Sequence, residues 1–355
     1  MGRNERDAMP RTRPGGPAPR RPARPGPVFG AVDLGTNNCR LLIARPTSSG
    51  FRVMDGFSRV VRLGEGMTES GLLSEAAMDR AVEALRVCAG KLARRNVTRA
   101  RAIATEACRR AANCADFIER VKDGTGLDLE IISSREEAEL TLAGCVPLLD
   151  PAMPYALMFD VGGGSTEVVW LKLEPGTPPR ILGWVSLPCG VVTLTERNGH
   201  HDFTPAAYAA VVAAVEAQLA AFEARFSINA AIRDGAVQML GTAGTVTTVA
   251  GVNMGLPRYN RSLVDGCYLS FEAIARITAV LAGSTYAERL ANPCIGDSRA
   301  DLVVAGCAVL DAICRTWPVG YLRVADRGVR EGILVSLIGA VDRAAFAPAA
   351  VDAPA

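Results

Sequence analysis

Two short segments carry the residue types that chemistry on an anion requires. Asp33-Leu34-Gly35-Thr36-Asn37-Asn38 follows the apolar run Val28 to Val32, and Asp160-Val161-Gly162-Gly163-Gly164-Ser165-Thr166-Glu167 follows Ala156 to Phe159. Each places an aspartate at the tip of an apolar strand, then a glycine turn, then a second apolar strand. Glycines let neighbouring backbone N–H groups converge on one point without Cβ obstruction, and an anion is what such a concavity holds. A third glycine segment, Gly241-Thr242-Ala243-Gly244-Thr245, separates Val237 to Leu240 from the helix-like Val246 to Ala250. Three such turns in one chain point to a polyphosphorylated ligand. Asp33 and Asp160 sit at corresponding tips where a carboxylate has no packing role, which fits direct or water-mediated Mg²⁺ coordination beside a phosphate. The competing reading of each is an Asx bond that stabilises its own turn. A P-loop is excluded, because no G-x-x-x-x-G-K-[ST] is present and lysine occurs only at 91, 122 and 172.

Two further segments carry charge in a chemical pattern. In Ala104 to Asn113, Arg109 and Asn113 are four apart, so on one helix face both reach a phosphate. In Ile131 to Glu139 a strand meets a helix start, where Ser134 is the expected cap and Glu137 the third helical residue of a capping box. A carboxylate there can instead face a cleft and polarise a water, as a general base must, and the spacing alone leaves both roles open.

The elements that must hold these residues alternate between strand and helix. The pattern of apolar strand, aspartate, glycine turn and strand occurs twice, which reads as a duplicated domain. Ala-rich helices are expected over Ser74 to Arg95, starting at Ser74-Glu75, and over Pro205 to Phe226, with Thr204 as N-cap and Pro205 at the first helical position. Asp301 to Cys314 has the continuous apolarity of a buried helix. The fold class is therefore α/β, with two similar lobes facing a cleft.

Composition removes several alternatives. The 355 residues, 49% of them apolar, suit a large core and two domains. Residues 1–27 hold seven of the 39 basic side chains, all Arg, and seven Pro; without them the net charge of +2 becomes about −3, and no duplex-binding basic face is implied. That composition reads as a disordered tail, a solvated extension rather than a lure for polyanions. The two histidines, His200 and His201, are adjacent, which excludes clustered histidine metal sites and HD-type phosphohydrolase centres and leaves Ser-His-Asp chemistry only that pair, in a polar turn. Ten cysteines without a C-x-x-C pair read as buried free thiols in a reducing cytoplasm. No apolar run is expected to reach the ~18 residues needed to cross a bilayer, and Arg20-Arg21 is not followed by the apolar run of a twin-arginine signal.

Six segments occur in a fixed order: Phe29-Gly30-Ala31-Val32-Asp33-Leu34-Gly35-Thr36-Asn37, Ala104-Thr105-Glu106-Ala107-x-Arg109, Ile132-Ser133-x-x-Glu136-Glu137-Ala138, Phe159-Asp160-Val161-Gly162-Gly163-Gly164-Ser165-Thr166-Glu167, Gly241-Thr242-Ala243-Gly244-Thr245 and Gly328-Val329-Arg330-Glu331-Gly332. Together they resemble the exopolyphosphatase/guanosine pentaphosphate phosphohydrolase (Ppx/GppA) family of the actin-like ATPase superfamily, over roughly residues 28–340. The resemblance implies a two-lobed, ribonuclease-H-like fold: a lobe over 28–150 completed by a C-terminal helix at 328–345, and a lobe over 151–327. It implies Mg²⁺-dependent hydrolysis (Mn²⁺ as the substitute) of a terminal phosphoanhydride, of inorganic polyphosphate first and of guanosine pentaphosphate (pppGpp) second. Glu137 matches the catalytic base, Arg109 the substrate-orienting arginine, and Asp33, Asp160 and Glu167 carboxylates at the metal. Gly35, Thr36, Asn37 and Asn38 match the first phosphate loop, Gly162, Gly163, Gly164, Ser165 and Thr166 the second, and Gly241, Thr242, Gly244 and Thr245 a third. Asn38 departs from the usual Ser-Asn-Ser, and Arg110 competes with Arg109 for the inward position. Longer relatives add an HD-type domain, so the chain resembles the short form. A cytoplasmic protein that binds neither duplex nucleic acid nor membrane follows, and a homodimer is left open. Different-class alternatives are an ATP-dependent small-molecule kinase of the same superfamily and a non-catalytic polyphosphate sensor.

Overall fold

The computed structural model describes residues 26–48, 50–199 and 203–345; most of the expected tail and the His200-His201 turn lie outside them. Two sheets organise the chain. The first is ordered β3-β2-β1-β4-β5, from β1 (Phe29–Leu34), β2 (Asn38–Thr47), β3 (Gly50–Val60), β4 (Arg99–Ala104) and β5 (Leu129–Ile131). The second is ordered β10-β11-β9-β6-β7-β8, from β6 (Tyr155–Val161), β7 (Thr166–Lys172), β8 (Arg180–Leu187), β9 (Val237–Thr242), β10 (Tyr268–Ser270) and β11 (Tyr321–Val324). In both, an antiparallel three-stranded meander is followed by two parallel strands, added on the side of its first strand. The duplication therefore extends from the hairpin motif to five strands of each sheet, with β10 an addition to the second, and the two-lobed α/β architecture implied by the motifs is the one observed.

Strand periodicity decides where the chemistry points. Along β1, Val32 and Leu34 enter a core built with α1 (Glu75–Arg94), while Phe29 and Ala31 enter a core shared with α9 (Val329–Ala345), and Asp33 falls in their alternation. Along β6, Leu157, Phe159 and Val161 face the large core of the second lobe, while Ala156 and Met158 face α4 (Ser134–Cys145), with Asp160 next in the series. Helix α4 contributes Leu140 to the first inner face and Ala138, Leu142 and Cys145 to the second, so it is wedged between the sheets with Glu137 near its start.

Helices α4 and α9 cross through glycines. A Cβ at Gly332 would lie 1.9 Å from the Leu140 carbonyl oxygen, and one at Gly144 2.2 Å from that of Gly328. The caps of α1 and of α6 (Pro205–Phe226) fall as expected: Ser74 accepts from the Ala77 amide and Thr204 from that of Ala207, with Pro205 at the helix start. The expectation that no segment is long and apolar enough for a membrane is corrected, because α6 passes on length and composition. Its Val211, Val212, Val215, Leu219 and Phe222 pack on α8 (Val303–Thr316) and the sheet behind it, so it is read as a core helix whose outer face is alanine. The ten cysteines are free thiols, all buried except the partly exposed Cys267.

The helix crossing generates a paired expectation. Gly332→Ala lowers stability in urea unfolding by about 1–3 kcal/mol through overpacking against Leu140. Gly339→Ala, on the same helix with nothing within 4 Å of the added methyl, raises it by about 0.5–1 kcal/mol.

Candidate active site

The two glycine turns have the same internal wiring. Gly35 N–H donates to the Asn38 carbonyl (2.9 Å), and Gly162 N–H to that of Ser165 (3.0 Å). The carbonyls between them are consumed from behind: Thr36 O accepts from Gly64, Asn37 O from Val61 and Arg62, Gly163 O from Val192, and Gly164 O from Gly190. The amides of Thr36, Asn37, Gly163 and Gly164 donate to no backbone acceptor among the described residues. A turn whose two central carbonyls are spent and whose two central amides donate to no backbone acceptor has the wiring that suits an anion. The turns face one another closely, since a Cβ at Gly163 would come within 3.0 Å of Thr36 and one at Gly164 within 2.7 Å of the Thr36 hydroxyl. The third segment turns from β9 into α7 (Ala243–Asn253) through Ala243 at φ 73°, a left-handed conformation for which glycine is the usual residue. It presents the N-terminus of an 11-residue helix, again a donor-rich end.

These three segments line a cavity of about 160 Å³ together with Asp33, Arg40, Glu106, Glu137, Asp160, Arg299, Asp326 and Arg330. Two polar bridges join the first lobe to the second: Arg62 pairs with buried Asp301 at 3.0 Å, and Glu196 on α5 (Val191–Asn198) accepts from the Gly66 amide (2.7 Å) and the Thr68 hydroxyl (2.5 Å).

Most of the expected residues converge here. Asp33, Gly35, Thr36, Asn37, Asn38, Glu137, Asp160, Gly162, Gly163, Gly164, Ser165, Thr242, Gly244 and Thr245 line the cavity. Thr166 and Gly241 do not. Thr166 donates its hydroxyl to the Cys189 carbonyl, and Gly241 is a strand glycine whose missing Cβ would strike Phe159 at 2.6 Å. Glu167 stands behind Asp160, its partner across the β6–β7 ladder, and accepts from the Ser186 hydroxyl at 2.8 Å. Asn113 belongs to neither α2 (Glu106–Arg110) nor the cavity: the chain becomes extended at Ala111, α3 (Cys114–Thr125) starts only after Asn113, and the Asn113 amide clamps Leu73 by both its carbonyl and N–H. The capping register is one residue earlier than expected. Ser133 caps α4 through the Glu136 amide, and Glu136 turns to Arg101, so Glu137 is free of capping duty.

Arg109 is placed as a brace and does not line the cavity. Its Nε and Nη2 donate to Glu106 Oε2 at 3.0 and 2.8 Å, and its Nη1 to Glu137 Oε2 at 2.8 Å and to the Ile132 carbonyl at 3.0 Å. Four cations that the motifs did not assign line the cavity instead, one of them, Arg327, already paired with Asp265. Arg299 donates to the Thr248 hydroxyl and the Gly244 carbonyl, whereas Arg40 and Arg330 have no hydrogen bond or ion pair to any described residue. Arg40 had a legible signal, because it stands opposite Asp33 in its ladder where Glu167 stands opposite Asp160.

The electrostatics are those of an acidic site short of positive charge. Burial pushes the Asp160 carboxyl up to about 7, with Glu167 adding and Arg40 opposing. Burial also raises Asp33 against the pull of Arg40 and Arg330, raises Glu167, and raises Glu137 well above its ordinary value, with Glu167 adding and Arg109 opposing. Asp33 and Asp160 have no hydrogen-bond partner among the described residues. No group of three potential ligands forms a ready cage among those residues. Two unpartnered carboxylates beside donor-rich turns suit Mg²⁺, which binds through one or two carboxylates and completes its shell with water and substrate oxygens.

The raised Asp160 carboxyl fixes a direction. Its proton is held more tightly in the folded chain than in the unfolded one, so its stabilising effect is complete below about pH 4 and lost as pH rises through about 7. In chelator, melting temperature therefore falls between pH 5 and pH 8, and Asp160→Asn removes part of that fall, as differential scanning fluorimetry of the two proteins reads directly.

Comparison with known proteins agrees with this arrangement. The Ppx/GppA phosphatase family profile matches residues 42–340. "Exopolyphosphatase 2" of Mycobacterium tuberculosis is 29% identical over 326 residues, covering 87% of this chain and 98% of that protein. "Guanosine-5'-triphosphate,3'-diphosphate pyrophosphatase" of Aeromonas salmonicida is 25% identical, covering 88% of this chain and 60% of that longer protein. Among solved structures, an exopolyphosphatase from Cytophaga hutchinsonii superposes with TM-score 0.78 at 26% identity, over 88% of this chain and 98% of the other. The Aquifex aeolicus Ppx/GppA family member does so with TM-score 0.73 at 26% identity, over 89% and 99%. With two duplicated lobes, paired amide cradles and a profile spanning nearly all of the described chain, this protein belongs to the Ppx/GppA phosphatase family.

Proposed function

We propose that the protein hydrolyses the terminal phosphoanhydride of inorganic polyphosphate and releases orthophosphate, with pppGpp as the second substrate of the same site. The observation that carries this reading is the facing pair of turns with spent carbonyls and spare amides, set around unpartnered carboxylates. The names of the relatives from M. tuberculosis and A. salmonicida support it.

In this reading the amides of Thr36–Asn37 and Gly163–Gly164 and the α7 N-terminus hold successive phosphoryl groups, assisted by the guanidinium groups of Arg40, Arg299 and Arg330. The charge of a transferring phosphoryl group is spread over three oxygens, so positioning and electrostatic stabilisation are the main tasks. Asp33 and Asp160 would hold Mg²⁺, or Mn²⁺, with Glu167 supporting Asp160 from behind. When bound, that ion supplies the positive charge that the site lacks and shields the carboxylates from the anionic substrate. Glu137 orients a water and takes its proton, and Arg109 keeps the base fixed against Ile132.

The test is phosphate release from long-chain polyphosphate, pppGpp and ATP assayed side by side with and without EDTA. Release from polyphosphate that stops in chelator is expected; ADP formed from ATP without phosphate release, and only when a small-molecule acceptor is supplied, points to a kinase-like transferase, and binding without release to a sensor. Glu137→Gln is expected to lower kcat by roughly 10² to 10⁴ with substrate affinity within a few-fold. Glu136→Gln, which touches only the Arg101 cluster outside the cavity, leaves both constants nearly unchanged.

A further inference from the structure

Glu106 is an acidic side chain on the wall of a cavity whose other features attract an anion, and the hydrolytic scheme above gives it no task. A negative group there repels substrate, a cost that a positioning role would offset. Both Arg109 contacts to Glu106 end on one oxygen, Oε2, while its other oxygen lies 4.0 Å from Arg110. The same guanidinium continues to Glu137 Oε2 at 2.8 Å. Glu106 and Arg109 share the short helix α2 of the first lobe, and Glu137 begins α4, wedged between the lobes. The Glu106 stem also lies against the second glycine turn, where a Cβ on Gly164 would come 2.8 Å from Glu106 Cγ. The three side chains thus form one line, from the second phosphate turn to the proposed base.

We propose that Glu106 is a positioning residue for hydrolysis, acting through Arg109 to hold the Glu137 carboxylate at the attacking water. The inference rests on Glu137 being the base. A flexible arginine carries considerable rotamer freedom, and two N–H groups on one fixed carboxylate oxygen remove it. Without Glu106, Arg109 is free to turn toward the phosphates, a stronger partner than a single carboxylate oxygen, and Glu137 loses the contact that sets its angle. Misplacement of a reacting group by 1 Å costs as much as a hundredfold in rate.

The experiment measures kcat and KM for phosphate release from long-chain inorganic polyphosphate with Mg²⁺, for the wild type and for Glu106→Ala, Glu106→Gln and Glu106→Asp. A positioning role predicts kcat about 10- to 100-fold lower for Ala and Asp, with KM within about threefold. Gln keeps the length and an oxygen that accepts both N–H groups, so it retains kcat within about fivefold. Asp keeps the charge but draws the carboxylate back by one methylene, so its loss separates position from charge. In an Arg109→Met background, Glu106→Ala has no further effect if it acts through Arg109. The inference is overturned if Ala and Gln both lower KM while Asp behaves as wild type, which marks simple repulsion of the substrate, or if the double variant loses activity additively. If Glu106→Ala does not fold, the contrast of Gln with Asp decides alone. A wild type that releases no phosphate overturns the hydrolase reading and this inference together, whereas an active wild type matched by all three variants overturns the inference only.

Discussion

Four carboxylates crowded at one cleft, Glu167 buried and Asp33, Glu137 and Asp160 half-buried, are the constraint on which the rest of the structure depends. Asp33, Asp160, Glu137 and Glu167 each hold their protons more tightly than an exposed acid, because burial removes water from the charged form and their neighbours add repulsion. A chain selected for stability alone would not collect them. Arg40, Arg109 and Arg330 offset part of the charge, and the remainder is what the proposed Mg²⁺ would offset.

The fold holds this arrangement by using each strand twice. In β1 and β6 the residues of one parity build the outer cores, and those of the other parity build the inner faces that end at Asp33 and Asp160. Helix α4 fills the gap between the inner faces, which places Glu137 near both aspartates without a long loop. Close approach of α9 to α4 through Gly332 and Gly144 then ties the C-terminal helix to the element that bears Glu137. Sequence duplication, sheet order, helix crossing and site chemistry are successive consequences of one repeated hairpin.

What was legible in the sequence was local. An apolar strand, an aspartate and a glycine turn declare themselves within ten residues, and the two α-helical N-caps at Ser74 and Thr204 do the same. The α4 register was less so, because Ser133 and Ser134 are equally good caps and only the chain's extended exit at Ser133 (φ −68°, ψ 157°) chooses between them. Asn113 was assigned to the face of Arg109 on the assumption of one continuous helix, which Ala111 interrupts. Gly241 shares the composition of a phosphate turn, but packing against Phe159 is a tertiary demand invisible along the chain. The arginines were hidden for a related reason: most basic side chains are solvated, and only the ladder opposite Asp33 or a buried wall distinguishes Arg40, Arg299 and Arg330 from the rest.

The central claim is that water held by Glu137 attacks the terminal phosphorus in this cavity. Hydrolysis of tripolyphosphate in H₂¹⁸O, followed by ³¹P NMR or mass spectrometry of the products, tests it most directly. The account predicts one ¹⁸O in each orthophosphate released and none in the pyrophosphate left behind, because the bridging oxygen departs with the shortened chain. Label in the pyrophosphate, or orthophosphate formed without label, would contradict it.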